Sequence, residues 1–140
     1  MTAPKRIGIA IVEHERRYLV GIRGPDVALS GFAEFPGGKC LENESADNCA
    51  IRECLEETGL RITVEQRLER LEFEYPHGRV DLNFVLCHPA DANDVRHQHG
   101  EFHWVTVSEL TSMKFPEANH NVIDLIIRMA DEDRRRSNEA

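Results

Sequence analysis

The chain has 140 residues, 41% of them hydrophobic, a length and apolar content that suit one domain around a single core. A net charge of −8 and a pI near 5.3 exclude a broad electrostatic grip on DNA or RNA, so no stable nucleic-acid partner is expected. No stretch approaches the ~18 apolar residues of a membrane span, and Met1 to Arg6 lacks a signal-peptide core. A cytoplasmic protein with reduced thiols at Cys40, Cys49, Cys54 and Cys87 is therefore expected, with no membrane partner.

Ile7 to Val12 reads as a short buried strand, with Gly8 and Ala10 leaving room beside it. Glu13 to Arg16 predicts a polar turn and Arg17 to Ile22 a second strand. Arg23-Gly24-Pro25-Asp26 breaks that strand, a loop of small residues runs to Gly31, and Phe32 to Phe35 predicts a brief extended piece. Pro36-Gly37-Gly38 predicts a turn that also bares the backbone for close approach. A helix is expected from an N-cap at Ser45 to Thr58, with Asp47 in its first turn and Gly59 as a left-handed C-cap. Ala46, Cys49, Ala50 and Cys54 share one of its faces and are small enough to lie close on a sheet.

Ile62 to Tyr75 reads as extended, with Leu71, Phe73 and Tyr75 on one face, and Pro76-His77-Gly78 as a hairpin turn. Val80, Leu82, Phe84 and Leu86 alternate with Asp81, Asn83, Val85 and Cys87, the pattern of a strand. A polar loop follows from Asp91 to Gly100, then a strand from Phe102 to Val107, a helical turn at Ser108-Glu109-Leu110 and a loop from Phe115 to Asn119. Asn121 is expected to cap a last helix, where Val122, Leu125, Ile126, Met129 and Ala130 recur with helical period. From about Asp131, through Arg134-Arg135-Arg136, a flexible, solvated tail is expected. Strands on both sides of a central helix, with a second helix closing the chain, predict an α/β fold: an α/β/α sandwich with a mixed sheet between helices. Too few helices are present for the crossovers of a purely parallel sheet.

Within the central helix Glu53, Glu56 and Glu57 stand at i, i+3 and i+4 and project from one side. Like charges so placed repel by ~0.2–0.5 kcal/mol per pair. A hard divalent cation relieves them, so Mg²⁺ or Mn²⁺ is the expected cofactor. Taken alone, the three glutamates are better read as an ordinary solvated helix face with an Arg52–Glu56 pair. His97, His99 and His103 invite a zinc reading, but their spacing offers neither a fourth ligand nor a helical pair, and a polar loop is the better one.

The stretch from Gly38 to Leu60 resembles the Nudix box, G-x5-E-x7-R-E-x-x-E-E-x-G followed by an apolar residue. Gly38, Glu44, Arg52, Glu53, Glu56, Glu57 and Gly59 fill its fixed positions, and Leu60 closes it. Phe35 to Lys39, Leu71 to Pro76, Trp104 and Phe115 to Asn119 extend the likeness to MutT-type members over roughly residues 7 to 130. Those enzymes hydrolyse 8-oxo-dGTP and related nucleoside triphosphates to a monophosphate and pyrophosphate.

The resemblance implies that Glu53, Glu56, Glu57 and the Gly37 carbonyl hold the metal against a polyphosphate. It implies Glu53 as general base, aided by Glu44, with Arg52 orienting its glutamate neighbours. Asn119 would read a purine edge between walls of Ile7, Phe35, Tyr75 and Val80. Arg23, Gly38, Lys39 and Arg79 would contact the nucleotide. Two positions depart from the pattern. Gln98 stands where many relatives carry a metal-binding glutamate, so Glu101 or a water would substitute. Gly78 stands where the closest relatives have arginine, so Arg79 would serve from the next position. A nucleotide sugar or ADP-ribose hydrolase, or a silent nucleotide-binding module, are the alternatives. The expected partner is a small-molecule nucleotide, and the protein is expected to be a monomer or homodimer.

Overall fold

The apolar run at Ile7 becomes the spine of a mixed sheet. In the computed structural model, which describes residues 3–95 and 101–139, β1 (Lys5–His14) has a different neighbour on each side and at each end. It pairs in parallel with β6 (Gly78–Pro89), from Lys5↔Val80 to Val12↔Cys87. On its other side the first half pairs with β4 (Gly37–Lys39), Gly8 facing Gly38, and its far end pairs with β2 (Arg17–Ile22). The turn between β1 and β2 is made without glycine, Glu15 and Arg16 taking φ of 50° and 65°. Strand β5 (Ile62–Tyr75) forms a hairpin with β6, while β3 (Ala33–Glu34) and β7 (Phe102–Thr106) pair with β2.

Helix α1 (Ala46–Thr58) covers one face, burying Ala50 and Cys54 against Ala10, Val12, Val85 and Cys87. Helix α3 (His120–Glu139) covers the other, burying Val122 and Ile126 with Ile11, Val20, Leu82 and Phe84. The α/β/α sandwich with a mixed sheet is therefore as expected. Helix α1 begins and ends where capping chemistry puts it: Ser45 accepts from Asn48 N at 3.1 Å, and Gly59 sits at φ 78°. Thr58 Oγ1 secures that end by donating to Cys54 O at 2.7 Å and accepting from Leu60 N at 3.1 Å.

The structure corrects three boundaries. Pro36-Gly37-Gly38 is no turn, because Gly37 and Gly38 open strand β4. These glycines serve close packing: a Cβ on Gly37 would stand 2.6 Å from Gly8 O, and one on Gly38 would overlap the Glu53 carboxyl. Val107 belongs to α2 (Val107–Ser112), whose capping box joins Thr106 and Glu109. Lastly, α3 starts at His120 rather than after an Asn121 cap, and it continues helical to Glu139 with residues 131–138 exposed, where a flexible tail was expected. Charges at i and i+3, Asp131 with Arg134 and Asp133 with Arg136, support that extension, and Arg16 donates to Ser137 Oγ at 2.6 Å. Among the described residues no helix is long and apolar enough to cross a membrane.

Candidate active site

Because Gly38 has no side chain, α1 can lay Glu53 directly over β4. From the preceding position Arg52 spreads its guanidinium between Glu44, Glu53 and Glu56. Its Nε and Nη2 grip both oxygens of Glu44 at 2.8 and 3.0 Å, and Nη2 also donates to Lys39 O at 3.1 Å. Nη1 donates to Glu53 Oε1 at 2.9 Å and to both Glu56 oxygens at 3.3 Å. The expected orienting role for Arg52 thus has a geometry: a two-pronged hold on Glu44 turns the remaining prong toward two of the helix carboxylates.

The electrostatic consequences differ residue by residue. Glu44 is lowered to about 2 by its bonds from Arg52 and from Leu41 N, so it is a fixed carboxylate at neutral pH. Arg52 is pushed upward by the same bonds and stays charged. Glu57 moves the other way, up to about 8, through burial first and then the charges of Glu34 and Glu53, against the opposing pull of the Gly37 N–H. That N–H donates to Glu57 Oε1 at 3.2 Å. A half-buried, crowded carboxyl of this kind suits a cation, and Glu53, Glu56 and Glu57 supply only hard oxygen donors, the chemistry that Mg²⁺ or Mn²⁺ prefers. Among the described residues, no three acidic, histidine or cysteine side chains are already drawn together as a cage.

This arrangement makes stability depend on pH. A carboxyl whose pKa rises on folding holds its proton more tightly in the folded chain. Its contribution is complete below the unfolded value of 4.5 and is lost as pH climbs through about 8. In metal-free buffer the stability of the parent is expected to fall across that window by roughly 1–3 kcal/mol after solvent screening, and its melting temperature with it. Glu57→Gln, unable to ionise, is expected to give a flatter curve by differential scanning fluorimetry in chelator. Parallel curves would remove Glu57 as the cause.

Beside the carboxylates lies a cavity of about 320 Å³, lined among others by Ile7, Arg23, Phe35, Tyr75, Val80 and Asn119. Phe35 stacks on Phe115 at 5.0 Å between centroids, and Tyr75 stacks on His77 at 5.7 Å. Asn119 sits in a short turn of 3₁₀ helix, where its Nδ2 donates to Pro116 O at 3.4 Å. Arg23 is tied to Ala28 O at 2.6 Å and to Glu34 Oε2 at 2.9 Å.

Of the expected nucleotide contacts, Arg23, Phe35, Tyr75 and Asn119 thus converge on the cavity, and Gly37 joins it to the carboxylates. Gly38 and Lys39 lie toward α1 instead, meeting Glu53 and Arg52. Arg79 is not brought there: it pairs with Glu74 across the hairpin, one residue out of phase with Val80, so it belongs to the opposite face of β6. His77 and Glu34 line the cavity and had not been singled out as contacts. His77 could have been found from its place in the hairpin turn and Glu34 from its neighbour Phe35. His97, Gln98 and His99 lie outside the described residues. His103 Nε2 stands 3.5 Å from Glu101 Oε2, and Glu101 edges a neighbouring hollow with Arg23 and Glu34.

The NUDIX domain family matches residues 8–125. The chain belongs to the Nudix family. It is 27% identical over 125 residues to the 8-oxo-dGTP diphosphatase of Escherichia coli (strain K12), covering 89% of this chain and 97% of that protein. To the 8-oxo-dGTP diphosphatase of Haemophilus influenzae (strain ATCC 51907 / DSM 11121 / KW20 / Rd) it is 31% identical over 106 residues, 76% of each chain. A MutT protein from Methanosarcina mazei Go1 shares the fold, with a TM-score of 0.74 and 21% identity over 93% of this chain and 98% of that one. This Nudix chain is a MutT-like hydrolase acting on phosphoric anhydride bonds.

Proposed function

We propose that the protein is a metal-dependent nucleoside triphosphate pyrophosphohydrolase, acting on 8-oxo-dGTP or a related purine nucleotide and releasing the monophosphate and pyrophosphate. One observation carries this reading: the box carboxylates border an aromatic-walled cavity through a shared residue, Gly37. A cavity of about 320 Å³ suits a nucleobase, and a polyphosphate leaving it would run past Glu53, Glu56 and Glu57. The named activity of the Escherichia coli and Haemophilus influenzae relatives points the same way.

Glu53, Glu56, Glu57 and the Gly37 carbonyl are the groups that would hold the cation. When bound, a divalent ion supplies charge neutralisation on the phosphates and a more acidic water. The protein's own part is positional and acid–base. Glu53, packed on Gly38 and bonded by Arg52, accepts the proton of the attacking water. Glu44, already committed to Arg52 as a fixed anion, contributes by holding that arginine and not by taking a proton. Phe35 and Tyr75 flank the base, and Asn119 presents an amide with a donor and an acceptor beyond its bond to Pro116. An 8-oxo purine carries N7–H where a purine has a bare N7, so such an amide meets a donor in place of an acceptor.

A panel of nucleotides assayed with Mg²⁺, with products identified, tests the function. Monophosphate plus pyrophosphate from 8-oxo-dGTP supports it; turnover confined to nucleotide sugars or ADP-ribose overturns the substrate class, and no turnover of any nucleotide overturns the enzyme reading. Asn119→Ala is expected to lower kcat/KM for 8-oxo-dGTP by about 10-fold or more and for dGTP by less, the scale of a lost polar contact to a buried group. Equal losses on the two substrates would remove Asn119 from base recognition.

A further inference from the structure

The segment that carries the carboxylates also carries three thiols that the hydrolysis does not use, and two of them, Cys40 and Cys49, lie on facing elements. Cys40 continues strand β4, its N–H donating to Arg6 O at 2.9 Å. Side chains alternate along a strand, so Cys40 shares the side on which Gly38 meets Glu53. On α1, Cys49 lies one turn before Glu53. Two strand residues advance ~6.6 Å and four helical residues ~6 Å. With Gly38 against Glu53, stepping two residues along the strand to Cys40 therefore matches stepping back one helical turn to Cys49.

The close seating of α1 makes this opposition tight. A Cβ on Gly8 would stand 2.9 Å from Cys49 Cβ, and Cys49 Sγ donates to Gly38 O at 3.3 Å. Burial first, and then the neighbouring Cys40 thiol, push Cys49 up to about 12. Cys49 is fully buried, whereas Cys40 is partly exposed. Oxidants in solution thus reach Cys40 and find Cys49 waiting behind it.

We propose that Cys40 and Cys49 are a peroxide-sensitive dithiol that closes to a reversible disulfide and slows the adjoining active site. Cys40 sulfur attacks the peroxide O–O bond, which breaks, leaving Cys40 as sulfenic acid and releasing one water from hydrogen peroxide. Cys49 sulfur then forms the S–S bond as the Cys40 S–O bond breaks and the oxygen departs as a second water. The two thiols lose two electrons and two protons in all, and the peroxide takes both. A small thiol reductant reverses the bond by exchange. Closure to the ~2.05 Å of a disulfide draws Cys49 Sγ off Gly38 O. It also shuts residues 41–48 into a ring containing Glu44, the anchor of Arg52. The effect on turnover rests on the hydrolase reading; the covalent bond does not.

The test uses the full chain, fully reduced and then briefly exposed to hydrogen peroxide. Free thiols are expected to fall from four to two, with a mass lower by two hydrogens and a cross-linked Cys40–Cys49 peptide. Hydrolysis of the parent's substrate is expected to drop by about 10-fold, as displaced catalytic groups do, and to return with dithiothreitol. Cys40→Ser is expected to match the untreated parent rate and to ignore the exposure. Four surviving thiols, a Cys54–Cys87 cross-link, or a Cys40→Ser variant as sensitive as the parent would overturn the proposal. A cross-linked protein with unchanged turnover would overturn its control of the site, while a missing substrate leaves the thiol and mass readouts to decide the bond.

Discussion

Glu53→Gln is expected to fold like the parent and to lose about 10²–10⁴-fold in kcat, the range for removing a positioned general base. The substitution keeps the side chain's size over Gly38 and leaves an amide oxygen able to accept from Arg52 Nη1, now 2.9 Å from Glu53 Oε1. Far-UV circular dichroism and the melting temperature should therefore stay near parent values while turnover collapses. Glu44→Gln makes the contrast. Its carboxyl, held at about 2 by Arg52, is a weak proton acceptor at neutral pH, so its loss removes an anchor and no base. The expected cost is about 10-fold, because the proton acceptor, Glu53, remains. Near-parent turnover of Glu53→Gln in Mg²⁺, or a larger loss for Glu44→Gln, would exchange their roles.

What could be read from the sequence was whatever is settled within a few residues. Ser45 and Gly59 delimit α1 as capping chemistry requires, and the spacing of Glu53, Glu56 and Glu57 places them on one helix side whatever the rest of the chain does. The alternation from Val80 to Cys87 likewise fixed which residues of β6 face each helix. Misreadings came where distant segments decide. Pro36-Gly37-Gly38 has the local chemistry of a turn, but β1 and α1 press on Gly37 and Gly38 from two sides and make them strand positions with no room for a Cβ. Arg79 was given the task of a missing neighbour, yet a shift of one residue in a strand changes its face. Glu34 matters to Glu57 because the fold brings its charge near enough to be felt there, which no spacing within the box could reveal. The extension of α3 beyond Asp131 escaped because it is supported by charges and not by an apolar stripe.

Gly8→Ala is expected to be strongly destabilising for a single added methyl group. Its Cβ would stand 2.7 Å from Ala46 O, 2.9 Å from Ala50 N and 2.9 Å from Cys49 Cβ, and two of those three neighbours are backbone atoms of α1. A long side chain could swing aside, but here the helix itself must lift. Overpacking of this kind costs about 1–3 kcal/mol, and the rigidity of the neighbours puts this case at the upper end. A melting temperature lower by roughly 10 °C follows for a domain of this size. Lifting α1 also parts Glu53 from Gly38 and loosens the Arg52 bond to Lys39 O, so hydrolysis at permissive temperature should fall with stability. Gly24→Ala is the control, since a Cβ there meets nothing within 4 Å, and its melting temperature should match the parent's. Equal melting temperatures for the two variants would mean that α1 does not sit on the sheet closely enough for Gly8 to matter, and the seating of the carboxylates over β4 would fall with it.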